Sequence, residues 1–329
     1  NNLYDFTNNN IKLSVMGDYD KFNLEYIPTK DKTIIDLVRV TSSKENIINV
    51  LNILKEINDK GYETSLNLMN SSHYNVEDWI NTIKIINCNE FKPTFLYFAD
   101  SFGNLLPNDI IKIMYYLKQI NNSRIGFHSH NNLQLSFANT IKCIDLNIDM
   151  VDTTIYGMGK GAGNLPCELL LGYLKYDIKN VMNFIENYMI DLFKKYEWGY
   201  LHKYMITGLY NSTTRYGEFI MNDKNNNYNN LIEIVSDKSI NKLKFKKDIS
   251  NKKISVCIPI KLNNERCPGK NTRLLNGKPL CHYLFEVLLE VKKEIDIDIY
   301  VFCSDESFKE YLLPNIIFLK RESWLDSNK

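Results

Sequence analysis

Short apolar runs recur along the first half of the chain, at residues 11–16, 34–40, 62–69, 94–100, 124–130 and 148–155. Most are followed by segments whose apolar residues repeat every three or four positions, at 47–57, 76–86, 108–120, 133–146 and 167–173. The first pattern predicts strands and the second amphipathic helices. Six strand-then-helix units in a row, with short links, predict parallel strands joined by crossover helices. The strands are short and apolar, as parallel strands covered on both faces should be. A doubly wound open sheet and a (β/α)8 barrel both fit. Asn67, Asp100, His128, His130 and a glycine-rich loop all fall at C-terminal strand ends, which a barrel gathers at one mouth. The barrel is therefore the expected fold. It needs eight units and six are counted, so two are expected upstream of Asn1.

The rhythm breaks after Tyr173. Residues 181–196 predict a long amphipathic helix, and a Tyr-rich segment follows. Residues 221–252 are polar and charged, as in a linker, and a new strand is predicted at 254–260. The expected organisation is a barrel with a helical extension over 1–220, a linker over 221–252 and a second, partial domain over 253–329. The chain opens on Asn1 and closes on Ser327-Asn328-Lys329, and it is expected to be a piece at both ends. Its 40 basic and 39 acidic residues give a net charge of +1, which offers no field for nucleic acid or a membrane surface. No apolar run is long enough to span a bilayer and no signal-peptide pattern opens the sequence, so a cytoplasmic location is expected. Seven cysteines without a C-x-x-C pair are expected to be buried thiols in a reducing compartment.

The chemistry centres on GFHSHNN, residues 126–132. Side chains two apart on a strand share a face, so His128 and His130 point the same way. Two imidazoles at a strand end either hold a divalent metal or are satisfied by ordinary hydrogen bonds. Asn164 closes GMGKGAGN after the next strand, and its amide oxygen could complete a nitrogen–oxygen shell. Gly157, Gly159, Gly161 and Gly163 would let backbone approach a ligand and offer N–H groups to an anion.

The run from Gly126 through GMGKGAGNLPCE, together with FADSFGNLLP, resembles the metal-dependent aldolase and lyase superfamily. That group includes 4-hydroxy-2-oxovalerate aldolase, HMG-CoA lyase and the isopropylmalate and homocitrate synthases. The resemblance covers about residues 10–220, with H-x-H-N, D-S-x-G and G-x-G-x-G-A-G-N in family order. It implies a TIM barrel with Mn2+, Mg2+ or Zn2+ on His128 and His130, and Asn164 as ligand or neighbour. It implies that Asp100, Ser101, Gly159, Gly161 and Gly163 bind substrate, and that Tyr200 or Tyr204 serves in acid–base chemistry. The metal would polarise a 2-oxo acid while a carbon–carbon bond is made or broken. The family's Arg-Asp-Gly is absent, and the first strand here resembles the family's third. The chain alone is therefore expected to bind metal weakly and not to turn over. The cysteine of HMG-CoA lyases has no match in the glycine-rich loop, which disfavours that subclass.

A second motif follows residue 254. A strand leads to a loop carrying Lys261, Arg266, Gly269, Lys270, Asn271 and Arg273, and then to a helix. Basic loops between a strand and a helix suit phosphates, although no Walker A pattern is present. IPIKLNNERCPGKNTRLLNGKPL resembles the opening of the acylneuraminate cytidylyltransferases, with IYVFCSDE and FLKRESWLD as their next segments. That resemblance implies the start of a Rossmann-like nucleotidyltransferase, with CTP and Mg2+ held by Lys261, Arg266, Gly269, Lys270 and Asn271. Lys261 stands where that family often has Arg, and Cys267 where it has Leu or Ile. The combined expectation is a bifunctional enzyme for an activated acidic sugar of surface polysaccharide. Its partners would be small molecules: a 2-oxo acid, an aldehyde, CTP and the sugar, with homo-oligomerisation left open. The alternatives are an acyl-CoA-dependent condensing synthase and a barrel that only tethers the transferase.

Overall fold

The computed structural model describes residues 11–320, apart from 22, 224, 239–253 and 263–268. By its contacts the chain divides into two units, residues 1–243 and 244–329.

In the first unit the six predicted strands form. They are β1 (Ser14–Asp18), β2 (Leu37–Ser42), β3 (Glu63–Leu68), β4 (Phe95–Asp100), β5 (Arg124–Ser129) and β6 (Met150–Val151). They pair in sequence order, and every pairing is parallel. The crossover helices are α1 (Ile47–Asp59), α2 (Val76–Cys88), α3 (Pro107–Leu117) and α4 (Ser136–Asp145). In α1 the buried positions Ile47, Val50, Leu51, Leu54 and Ile57 trace one face at three- and four-residue spacing. Helix α2 starts on a capping box, with Asn75 and Asp78 each accepting the other's backbone N–H.

The two faces of the sheet differ. Val38, Val40, Leu66, Leu68, Leu96, Phe98, Ile125 and Phe127 are buried in one cluster with the apolar faces of the helices. The alternate positions Arg39, Thr41, Asn67, Tyr97, Gly126 and His128 lie on the opposite face. Arg39 on β2 nevertheless contacts Asp152, just after β6, at 2.7 Å. Four strand spacings separate β2 from β6, roughly 19 Å along a flat sheet. One side-chain pair spans that gap only because the sheet curls with the polar face concave. This is the geometry of a partial TIM barrel.

Three features depart from expectation. Between β1 and β2 there is no α-helix but three 3-10 turns, Tyr19–Lys21, Leu24–Tyr26 and Lys30–Lys32. That stretch holds Pro28 and lacks an apolar stripe at helical spacing. Strand β6 is shorter than predicted, and beyond it Thr154 forms an isolated bridge to Pro166. The expected linker contains a helix. After α5 (Cys167–Tyr173), a helical run of α6 (Lys179–Phe184), a π-turn (Ile185–Met189) and α7 (Ile190–Tyr196) leads to α8 (His202–Leu209), α9 (Thr214–Met221) and α10 (Tyr228–Lys238). Leu231 and Val235 of α10 are buried against Ile206 and Ile220. Their four-residue spacing, amid asparagines, is what holds this segment to the first unit.

The second unit has a parallel sheet ordered β11-β10-β7. Its elements are β7 (Ile254–Pro259), the hairpin β8 (Leu274–Leu275) with β9 (Lys278–Pro279), α11 (Leu280–Glu294), β10 (Ile297–Cys303) and β11 (Ile316–Lys320). Ile299, Val301, Phe285 and Phe308 form its dry core.

Among the described residues no helix is long and apolar enough to cross a membrane. The cysteines are not uniformly buried: Cys143, Cys281 and Cys303 are, Cys167 is half-buried, and Cys88 and Cys257 are exposed.

Leu96 is fully buried between sheet and helices. Leu96→Ala is expected to lower unfolding free energy by about 2–5 kcal/mol, measured by urea denaturation. A cost near zero would contradict the dry layer described above.

Candidate functional site

The concave face carries a connected polar network. Arg39 donates Nη1 to Asp152 Oδ1 (3.0 Å) and Nη2 to Asp152 Oδ2 (2.7 Å). His128 Nδ1 lies 2.9 Å from the same Oδ2. The guanidinium stacks on the Tyr97 ring, 4.1 Å from its centroid. Asn67 accepts from Arg39 Nη2 (2.8 Å) and donates to Ser65 Oγ (2.8 Å) in the amide orientation that satisfies both neighbours. Gly126 makes room for this stack, because a Cβ there would sit 2.4 Å from Tyr97 Cζ. Burial alone would raise the Asp152 carboxyl; hydrogen bonds from His128 and Arg39 outweigh it and hold it below the ordinary carboxylate value. The Tyr97 phenol is pushed up by burial and by the Asp152 charge.

The strand-end loops meet at the mouth. The Asp100 carboxylate accepts from the N–H groups of Asn104 (2.9 Å) and Leu105 (3.2 Å), which folds the D-S-x-G loop back on its strand. Gly103 takes φ +57, and a Cβ on it would lie 2.4 Å from the Asn132 nitrogen, so β4 and β5 loops touch through backbone. Asn132 donates to the Phe102 carbonyl and accepts from the Ala162 N–H, joining the loops after β4, β5 and β6. In the glycine-rich loop a Cβ on Gly163 would lie 2.1 Å from the Gly157 oxygen, and one on Gly159 would lie 2.6 Å from Asn164 Nδ2. The loop thus wraps Asn164. Helices α8 and α9 lie against this mouth: Gly208 abuts Asn132, and Thr214 abuts Gly161.

The proposed ligand residues are brought together. The His128 and His130 rings meet edge to face, 5.1 Å between centroids. His130 and Asn164 form an isolated bridge. Asn164 Oδ1 is buried and accepts no hydrogen bond. The His130 imidazole is pushed down to about 4 by burial, then by the neighbouring His128 and Lys160 charges, so it is neutral at pH 7. Among the described residues no three His, Cys, Asp or Glu side chains gather as a metal-binding set.

The other expected residues fall in different places. Asp100 is almost wholly buried and committed to its own loop. Ser101 Oγ accepts from the Asn70 N–H, bracing the β3 loop. Tyr204 is buried on α8, one turn before Gly208 on the same helical face. Burial raises its phenol, as do the Glu218 and Glu197 charges. Tyr200 is exposed. In the second unit Asn271 Nδ2 donates to the Lys261 carbonyl, and Gly269 takes φ +68 in the same loop as Lys270. Arg266 lies outside the described residues. Arg39, Tyr97 and Asp152 were not among the residues expected to act.

The family model described as HMGL-like matches residues 27–184. The chain is similar to the 4-hydroxy-2-oxovalerate aldolase of Thermomicrobium roseum, 42% identical over 79 residues, 24% of this chain and 22% of that protein. It is similar to the oxaloacetate decarboxylase of Mycobacterium tuberculosis, 28% identical over 141 residues, 43% and 41% of the two chains. The alignments thus span between about a fifth and two fifths of these curated relatives. Among solved structures, the N-terminal domain of a Bacteroides vulgatus protein assigned as an aldolase superposes with a TM-score of 0.59 at 28% identity, covering 68% of this chain and 76% of that one. This HMGL-like segment contains β2 to β6, the H-x-H strand and the glycine-rich loop.

Burial raises the Asp100 carboxyl to about 7, although N–H groups of Asn104, Leu105 and Gly103 pull it down. A folded pKa above the unfolded value means stability that is full below about pH 4 and lost as pH rises through 7. Asp100→Asn is therefore expected to flatten the fall in stability between about pH 4 and 7, measured by urea denaturation across that range. An unchanged pH slope would show that the carboxylate is ionised in the fold.

Proposed function

We propose that the first unit carries a divalent-metal site on His128, His130 and Asn164, and acts on a 2-oxo acid in making or breaking a carbon–carbon bond. The observation that carries this reading is Asn164 Oδ1: a buried carbonyl oxygen without a donor, on a residue whose backbone bridges to that of His130 and which the glycine-rich loop wraps. Burying such an acceptor unpaired costs about 1–3 kcal/mol, and a cation removes that cost. Neutral imidazole and amide oxygen suit Mn2+, Mg2+ or Zn2+. Such a cation supplies a Lewis acid for the ketone and carboxylate oxygens of the substrate.

The chain's own groups supply the rest. Gly159, Gly161 and Gly163 keep the loop free of side chains where a substrate carboxylate would meet backbone N–H groups. Asp100 and Ser101 serve substrate binding by fixing the β4 and β3 loops. Tyr204, on the helix packed at the mouth, is the proposed acid–base group. The concave face carries polar side chains in place of the apolar filling usual inside such barrels, in keeping with a charged substrate.

For the second unit the proposal is nucleotidyl transfer, with CTP phosphates and Mg2+ held by the loop of Lys261, Arg266, Gly269, Lys270 and Asn271. What supports it is the strand–loop–helix order of β7 and α11 within a parallel sheet. Joined, the two activities would build and activate an acidic sugar.

With Mn2+ in D2O, a protein that joins this chain to the family's Arg-Asp-Gly strand is expected to exchange the methyl protons of pyruvate. His128→Ala and His130→Ala should each reduce Mn2+ affinity and exchange by about 100-fold or more. Exchange that survives either change overturns the metal assignment, and a strict need for acyl-CoA moves the reading to a condensing synthase. CTP binding, followed by calorimetry, is expected to weaken about tenfold or more in Lys270→Ala, in keeping with the loss of one phosphate-pairing charge. Undiminished binding would remove Lys270 from the phosphate site.

A further inference from the structure

We infer that Asp152, fixed by Arg39, is a positioning residue that sets the tautomer of His128, keeping the proton on Nδ1 and the lone pair on Nε2. The inference deepens the metal reading above and rests on it for its purpose, but its geometry stands independently. Asp152 Oδ2 lies 2.9 Å from His128 Nδ1 and accepts from Arg39 Nη2 at 2.7 Å, while Oδ1 accepts from Nη1 at 3.0 Å. An ionised carboxylate only accepts, so Nδ1 must donate. The guanidinium only donates, and it takes both carboxylate oxygens in a fork. It is itself pinned by the Tyr97 ring beneath it and by the Asn67 amide oxygen. Asp152 therefore has no freedom to turn away from His128. An imidazole protonated on Nδ1 presents its other nitrogen as a ligand, the arrangement in which an outer carboxylate orients a metal-binding histidine.

The shared oxygen makes a specific expectation for two replacements. In Asp152→Asn an amide oxygen placed as Oδ2 still accepts from both Arg39 Nη2 and His128 Nδ1–H, while the NH2 faces Nη1 alone, so the tautomer is kept. In Asp152→Ala no acceptor is left at Nδ1, and the proton moves to Nε2, its preferred site in a free imidazole, where it blocks the ligand position. Retention by Asn and loss by Ala is a pattern that a merely structural role for Asp152 would not give.

The test is 15N NMR of the metal-free full chain labelled at histidine. The chain has five histidines, and His128→Gln assigns the signal. The expected results are Nδ1–H in the wild type and in Asp152→Asn, and Nε2–H in Asp152→Ala. Mn2+ affinity should fall about 10–100-fold in Asp152→Ala and be largely kept in Asp152→Asn. A wild-type His128 protonated on Nε2 overturns the inference and needs no variant to fold. So does a folded Asp152→Ala protein that keeps Nδ1–H. If the tautomers switch as expected but no variant binds Mn2+, the positioning role stands and the metal reading falls.

Discussion

A charge drawn partly out of water needs a partner, and in this fold the half-buried Asp152 carboxylate has several. Its position beside Arg39 and His128 ties the end of β6 to β2 and β5, and the Tyr97 ring lies under the guanidinium. Removing one partner from such a group leaves an uncompensated charge, which is far costlier than never having built the pair. The network therefore constrains which strands can sit opposite one another. It also fixes the curl of the sheet: a flatter sheet would pull Arg39 from Asp152. The H-x-H pair, the glycine-rich loop and the α8–α9 helices are arranged around a mouth whose width this contact limits.

The mouth is held mostly by backbone. Gly103, Gly161 and Gly163 sit at positive φ, and each is pressed against a neighbouring loop or helix. Asn132 adds hydrogen bonds to Phe102 and Ala162, while Asn211 reaches Ser72 from the turn after α8. Close backbone approach gives rigidity with few side chains to order. Rigid loops of this kind set ligand positions more finely than long side chains would, because few rotamers have to be ordered.

Much of this was legible from the chain. Every predicted strand of the first unit formed, because short β-rich apolar runs separated by helical-period segments leave little choice of architecture. The histidine pair and Asn164 do meet, as strand alternation and the next loop suggested. Arg39 was missed although its signal was present: an arginine between Val38 and Val40, inside a run read as a buried strand, needs an anion on its own face. Asp152 was likewise hidden by its apolar neighbour Val151. The helix Tyr228–Lys238 was obscured by surrounding asparagines, since only Leu231 and Val235 carry its packing and two residues make a weak periodic signal. The loop-folding part of Asp100 was hidden: its oxygens accept from the N–H groups of Asn104 and Leu105, a relation visible only in three dimensions.

The two faces of the sheet divide labour in a way that bears on how such a protein can change. Cohesion lies in the layer between strands and helices, where Leu66, Leu96, Phe98 and Phe127 are dry. The concave face holds polar groups whose main debt is to one another. Substitutions on it can exchange one satisfied network for another while the apolar layer is left intact. A lineage could therefore explore new substrates by rewriting alternate residues of the same strands, with every second letter held constant by packing and the letters between open to selection.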